Sequence, residues 1–124
     1  MKMRILVLED SSTAQEAIVS LIESLEKKAN YAHIELEFTI SIAAFKNLFS
    51  FKSYRGVILD DKVLDGNAFS SGLPKWVRKK DSRVGIGLNS SDHYEDLARE
   101  IDGSDLAKDP MAIKSFLMRL KNEI

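Results

Sequence analysis

Three short stretches of the chain are almost purely apolar: Ile5-Leu6-Val7-Leu8, Gly56-Val57-Ile58-Leu59, and Val84-Gly85-Ile86-Gly87-Leu88 behind Arg83. Runs of this length without a polar partner at every second place suit strands buried on both faces. A fourth stretch behaves differently. Ile34, Leu36, Phe38 and Ile40 alternate with Glu35, Glu37 and Thr39, the period of a strand with one wet face, which predicts a sheet edge. Ser104 to Ala107 predicts a fifth, short strand. Helical spacing fills the gaps. Ala14, Ala17, Ile18, Leu21, Ile22 and Leu25 predict a helix over about 12–27, with Ser12 and Gln15 as its capping box. Ala44, Phe45, Leu48 and Phe49 follow a cap at Ser41. Residues 61–72 read as a loop. Pro74 then opens a short helix with Trp76 and Val77 inward, ending near Lys80. Tyr94, Leu97, Ala98 and Ile101 mark a helix behind candidate caps Ser91 and Asp92. Ile113, Phe116, Leu117, Leu120 and Ile124 stripe a last helix capped by Asp109.

Five alternations of strand and helix predict a parallel sheet covered on both faces, because each right-handed crossover returns a helix onto the sheet. The expectation is a single α/β domain over residues 1–124, a doubly wound five-stranded parallel sheet. The 124 residues are enough for a core without staples, and the absence of cysteine excludes disulfides and thiolate metal sites. A net charge of -1 points neither to nucleic acid nor to an anionic membrane. With no signal-like leader and no apolar run near the roughly 20 residues of a membrane helix, a cytoplasmic protein is expected.

In open α/β sheets, ligands bind beyond the carboxyl ends of the strands, where strand order switches. Glu9 and Asp10 end the first strand and Asp60 the third. Asn89, Ser90 and Ser91 follow the fourth, and Lys108 follows the fifth. Three carboxylates on one rim repel each other, and a hard divalent cation such as Mg²⁺ resolves that conflict. A lysine opposite balances the remaining charge of a phosphoryl group. His33 and His93 each lack a second histidine at ligand spacing, so neither is expected to bind metal.

These residues carry a resemblance. The chain is similar over its whole length to CheY-like receiver domains of two-component signalling. Ile5-Leu6-Val7-Leu8-Glu9-Asp10 resembles the family's first strand with its acidic pair, and Val57-Ile58-Leu59-Asp60 the strand that bears the phosphorylated aspartate. Asp65-Gly66 falls where many members carry an Asp-Gly turn, which selects Asp60 over Asp61. Lys108 resembles the lysine after the last strand.

The resemblance implies a flavodoxin-like sheet of order 2-1-3-4-5 and a signalling role rather than an enzymatic one. It implies Asp60 as the nucleophile toward a phosphohistidine on a histidine kinase or phosphotransfer protein. Asp10, Asp60 and the main-chain carbonyl of Lys62 would bind Mg²⁺, with Glu9 acting through water on the ion. Lys108 would pair with Asp60 and then with the phosphoryl oxygens. A downstream protein would be met by the last two helices and last strand. Within 124 residues the output would be protein binding.

The chain also departs from the pattern. Asn89 stands where members usually carry Thr or Ser, with Ser90 as the substitute if the strand slips by one. Asp105 stands at the aromatic switch position. Asp109 separates Lys108 from Pro110, so the bond after the lysine is expected to be trans, since a cis bond there would cost about 2.5–4 kcal/mol. These departures motivate an alternative, a degenerate pseudo-receiver that acts as a phosphorylation-independent interaction module. A third reading, an aspartyl-nucleophile hydrolase of the haloacid dehalogenase type, lacks the Asp-x-Asp spacing and the cap.

Overall fold

The computed structural model describes residues 2–27 and 33–122. In chain order the elements are β1 (Lys2–Leu8), α1 (Ser12–Glu26), β2 (His33–Thr39), α2 (Ile42–Phe51), β3 (Gly56–Leu59), β4 (Lys62–Val63), β5 (Gly66–Asn67), α3 (Leu73–Lys80), β6 (Gly85–Leu88), α4 (Glu95–Glu100), β7 (Ser104–Asp105) and α5 (Pro110–Asn122). Five strands form one parallel sheet in the order β2-β1-β3-β6-β7. Counting only the strands of that sheet, this is 2-1-3-4-5, the expected topology. The order reverses between β1 and β3, so the switch point lies over their carboxyl ends.

The apolar runs alternate between two cores. Leu6 and Leu8 of β1, with Val57 and Leu59 of β3, face Phe45, Phe49 and Val77 of α2 and α3. Ile5, Val7 and Ile58 face Ile18 and Ile22 of α1 and Phe116 and Leu117 of α5. Burial on both faces explains why these strands read as continuous rather than alternating. Two glycines of β6 let α5 approach closely. A Cβ on Gly87 would lie 2.5 Å from Cδ1 of Leu106, and one on Gly85 would collide with Leu120.

Several boundaries differ from expectation, each for a local reason. The cap of α1 is Ser11 rather than Ser12, because the Ser11 hydroxyl accepts from the Ala14 N–H at 3.3 Å. Gln15 is spent elsewhere, donating to the Glu9 carbonyl at 2.6 Å. The predicted loop 61–72 contains a small antiparallel hairpin, β4 with β5. Ile40 lies outside its strand and is exposed. The strand predicted from Arg83 begins at Gly85, and the last strand ends at Asp105. Helix α4 starts behind Tyr94 and not behind Ser91 or Asp92. The Asp92 N–H is drawn back to the Ser90 hydroxyl at 3.4 Å, and His93 is held by Asp105 at 2.8 Å, which keeps this segment off the helix. Ile124 lies outside the described residues. Among those described, no helix is long and apolar enough to cross a membrane.

Candidate functional site

The parallel register aligns the tips of β1 and β3. Leu8 pairs with Leu59, and the Asp60 N–H donates to the Leu8 carbonyl at 2.9 Å. The residues that follow each tip are therefore neighbours. Glu9, Asp10 and Asp60 each offer a carboxylate oxygen, and these oxygens lie within 4.8 Å of one another. Glu9 is 1% exposed and Asp60 7%, while Asp10 is open to solvent. The Lys108 Nζ reaches both buried acids, at 3.5 Å from Oε1 of Glu9 and 3.5 Å from Oδ2 of Asp60.

One ammonium does not neutralise this group. Burial, and then the adjacent Asp60 charge, push the Glu9 carboxyl up to about 7, against a smaller opposing pull from Lys108. Oε1 of Glu9 is sealed from solvent and makes no hydrogen bond, only the 3.5 Å ion pair with Lys108. A clustered, oxygen-only set of three carboxylates facing one ammonium fits a hard divalent cation. Lys62 lies in β4, opposite Asn67 of β5, in the hairpin directly after Asp60 and Asp61.

Lys108 is aimed by an unusual loop. Ala107 and Lys108 both have positive φ, 49° and 54°, a conformation that costs a non-glycine residue roughly 1–2 kcal/mol. The Lys108–Asp109 bond is trans, as no described peptide bond is cis. Asn89 supports the turn, since its side-chain oxygen accepts the Lys108 N–H at 2.9 Å. Its own N–H donates to the Leu59 carbonyl at 2.7 Å, so the residue bridges β3, β6 and the lysine loop. The Ser90 hydroxyl is buried and serves the turn at Asp92. The strand thus does not slip: Asn89 is the residue directly after β6.

Asp61, the aspartate passed over in favour of Asp60, has a structural role. It is not a solvated neighbour but 8% exposed. Its Oδ1 accepts the Phe69 N–H at 2.9 Å, its carbonyl accepts the Ala68 N–H at 2.7 Å, and Oδ2 accepts the Tyr94 hydroxyl at 3.3 Å. Phe69 and Tyr94 also pack edge to face at 4.7 Å. Asp61 therefore ties the hairpin and the start of α4 to the tip of β3. The Asp60 side chain is held differently: Oδ1 accepts the Asp61 N–H at 2.8 Å, and Oδ2 faces Lys108. Asp65 is more than a turn residue. Its two oxygens accept the N–H groups of Ile42 and Ala43 at 2.7 and 3.1 Å, and these bonds hold its carboxyl below the usual range. Sequence reading missed Tyr94 and Gln15 as supports of the site, and neither has a local pattern that would expose the role.

No family model matches the chain, and no curated protein sequence matches it. Solved structures do. The non-phosphorylated HemR receiver domain from Leptospira biflexa aligns over 97% of this chain and 92% of its own, at TM-score 0.69 and 24% identity. A CheY-like response regulator receiver domain from Methylobacillus flagellatus covers 97% and 99%, at TM-score 0.72 and 18% identity. The non-phosphorylated receiver domain of the stress response regulator RcsB from Escherichia coli covers 99% and 95%, at TM-score 0.74 and 16% identity. The fold is that of response-regulator receiver domains.

Proposed function

We propose that the chain is a two-component receiver in which Asp60 accepts a phosphoryl group from the phosphohistidine of a histidine kinase or phosphotransfer protein. The observation that carries this reading is the position of Asp60. Its carboxylate sits at the sheet's switch point, within 4.8 Å of two further acids and 3.5 Å from an ammonium. An ionised carboxylate needs no base to attack phosphorus. The new P–O bond forms as the P–N bond breaks, and the imidazole leaves with the electron pair and takes a proton from solvent.

Asp10, Asp60 and the main-chain carbonyl of Lys62 would hold Mg²⁺, with Glu9 in the outer sphere. The ion supplies charge neutralisation for the incoming phosphoryl oxygens. Lys108, aimed by Asn89, offers the opposing positive charge. Asn89 replaces the usual hydroxyl: it keeps its amide NH₂ as a donor while its oxygen holds the lysine loop, and Ser90 supports the turn beside it. Output would pass to a protein partner through α4, β7 and α5, inside the cell and without nucleic acid or membrane.

The direct test is beryllofluoride with Mg²⁺, followed by amide NMR. Shifts centred on Asp60, Asn89 and Lys108 are expected in the wild type and none in Asp60→Asn. An unresponsive wild type rejects the proposal.

A second reading has its own support. The Asn89 oxygen is committed to the Lys108 backbone and Asp105 occupies the aromatic switch position, as in a phosphorylation-independent interaction module. Such a module has no need of Mg²⁺. Saturable Mg²⁺ binding that disappears in Asp10→Asn counts against it.

A further inference from the structure

We propose that His93, Glu95 and Asp105 form a second cation site, suited to a transition metal of the Zn²⁺ class, on the face where β7 meets the start of α4. The three residues come from three places in the chain. His93 lies in the bend after β6, Glu95 opens α4 and Asp105 ends β7. Each nevertheless offers a ligand atom within 4.8 Å of the others. Nδ1 of His93 is 2.8 Å from Oδ2 of Asp105. Ligands of one tetrahedral zinc at about 2.0–2.2 Å from the metal lie roughly 3–3.5 Å apart, so this pair needs only a small outward shift to admit the ion.

A second, independent observation points the same way. The Asp105 side chain is only 10% exposed, yet its Oδ1 is sealed from solvent with no hydrogen-bond partner. His93 engages the other oxygen. Asp105 thus pairs with the imidazole through one oxygen and leaves the other buried without a partner, which a cation held by the same carboxylate would supply. The imidazole selects the metal class. Mg²⁺ and Ca²⁺ take oxygen ligands, whereas a mixed nitrogen and oxygen set suits Zn²⁺. Water would complete the coordination, since His93 is 73% exposed.

The site shares no residue with Glu9, Asp10 and Asp60, so it does not rest on phosphoryl acceptance. Its consequence is mechanical. An ion there would staple the segment before α4 to β7, two elements of the surface assigned to output.

The test uses the whole chain carrying Asp10→Asn and Asp60→Asn, so that the strand-tip acids cannot compete. Calorimetric titration with zinc chloride is expected to show one ion per chain. Proton NMR is expected to show the His93 imidazole shifting while that of His33 stays in place. Adding His93→Gln, at an exposed position that leaves the core untouched, is expected to weaken binding at least ten-fold, and Asp105→Asn to do the same. Three results overturn the proposal: no zinc bound at millimolar concentration, affinity unchanged by His93→Gln, or a site abolished instead by His33→Gln. That last result would place the ion on the His33–Glu26 pair, whose atoms are 2.9 Å apart.

Discussion

Replacing Glu9 by Gln should make the metal-free protein more stable, and the structure sets both the size and the pH range of the gain. Glu9 is 1% exposed and lies beside Asp60, and its carboxyl is raised from 4.5 to about 7. Between these values the native state holds a proton that the unfolded chain has released. Stability therefore falls as pH rises through that interval, and the cost is complete above pH 7. At about 1.4 kcal/mol per pKa unit, ionising Glu9 in the fold costs about 3 kcal/mol. Gln keeps the shape, cannot ionise, and its amide can donate to the Asp60 carboxylate. Carboxylates remote from Glu9 titrate in both proteins and cancel in the comparison. In urea unfolding with EDTA, followed by circular dichroism, the two proteins should have similar stability near pH 4.5. At pH 8 the Gln variant should lead by about 3 kcal/mol, roughly 10 °C in Tm for a chain of this size. Saturating Mg²⁺ should narrow the gap, because the ion offsets the same repulsion in the wild type. A wild type as stable as the variant at pH 8 in EDTA, or a gap that does not change with pH, refutes the reasoning.

Other substitutions probe different parts of the account. Asp61→Ala strands the buried Phe69 N–H and the Tyr94 hydroxyl, and should cost about 1–3 kcal/mol in chemical unfolding while leaving acyl-phosphate formation in place. Asn89→Ala releases the Lys108 N–H and should slow phosphorylation by acetyl phosphate several-fold with little change in Mg²⁺ affinity, because Asn89 acts on the lysine and not on the acids. Gly87→Ala places a methyl 2.5 Å from Leu106 Cδ1 under α5 and should destabilise by about 1–3 kcal/mol, read as a lower midpoint with an unchanged m-value.

The sheet was legible because its three central strands, β1, β3 and β6, are buried on both faces and so appear as unbroken apolar runs, with acids directly at the ends of β1 and β3. The parallel, doubly covered sheet followed from the alternation and the handedness of crossovers, and its strand order from the resemblance to receiver domains. The proximity of Glu9, Asp10, Asp60 and Lys108 followed from the same topology, since strand tips of one parallel sheet share a rim. What could not be read was set by contacts distant in sequence. Asp61 is adjacent to Asp60 and chemically identical to it, and only the folded chain shows its oxygens taken by Phe69 and Tyr94. The part Asn89 plays in aiming Lys108 could not be read because its partner lies 19 positions on. The start of α4 was misplaced because Ser90 and Asp105 hold the preceding segment, and no helix-start signal encodes that competition. His93 was set aside for lack of a second histidine at ligand spacing, while its actual neighbours are carboxylates from α4 and β7.

The Asp60 carboxylate, and not the aspartate beside it, is the proposed phosphoryl acceptor. Incubation with phosphoramidate and Mg²⁺, borohydride reduction of the acyl phosphate and peptide mass spectrometry locate the modified residue directly. The account predicts homoserine at position 60 in the wild type and in Asp61→Asn, and no labelling in Asp60→Asn. Homoserine at position 61, or an unlabelled wild type under conditions that label a known receiver, would contradict it.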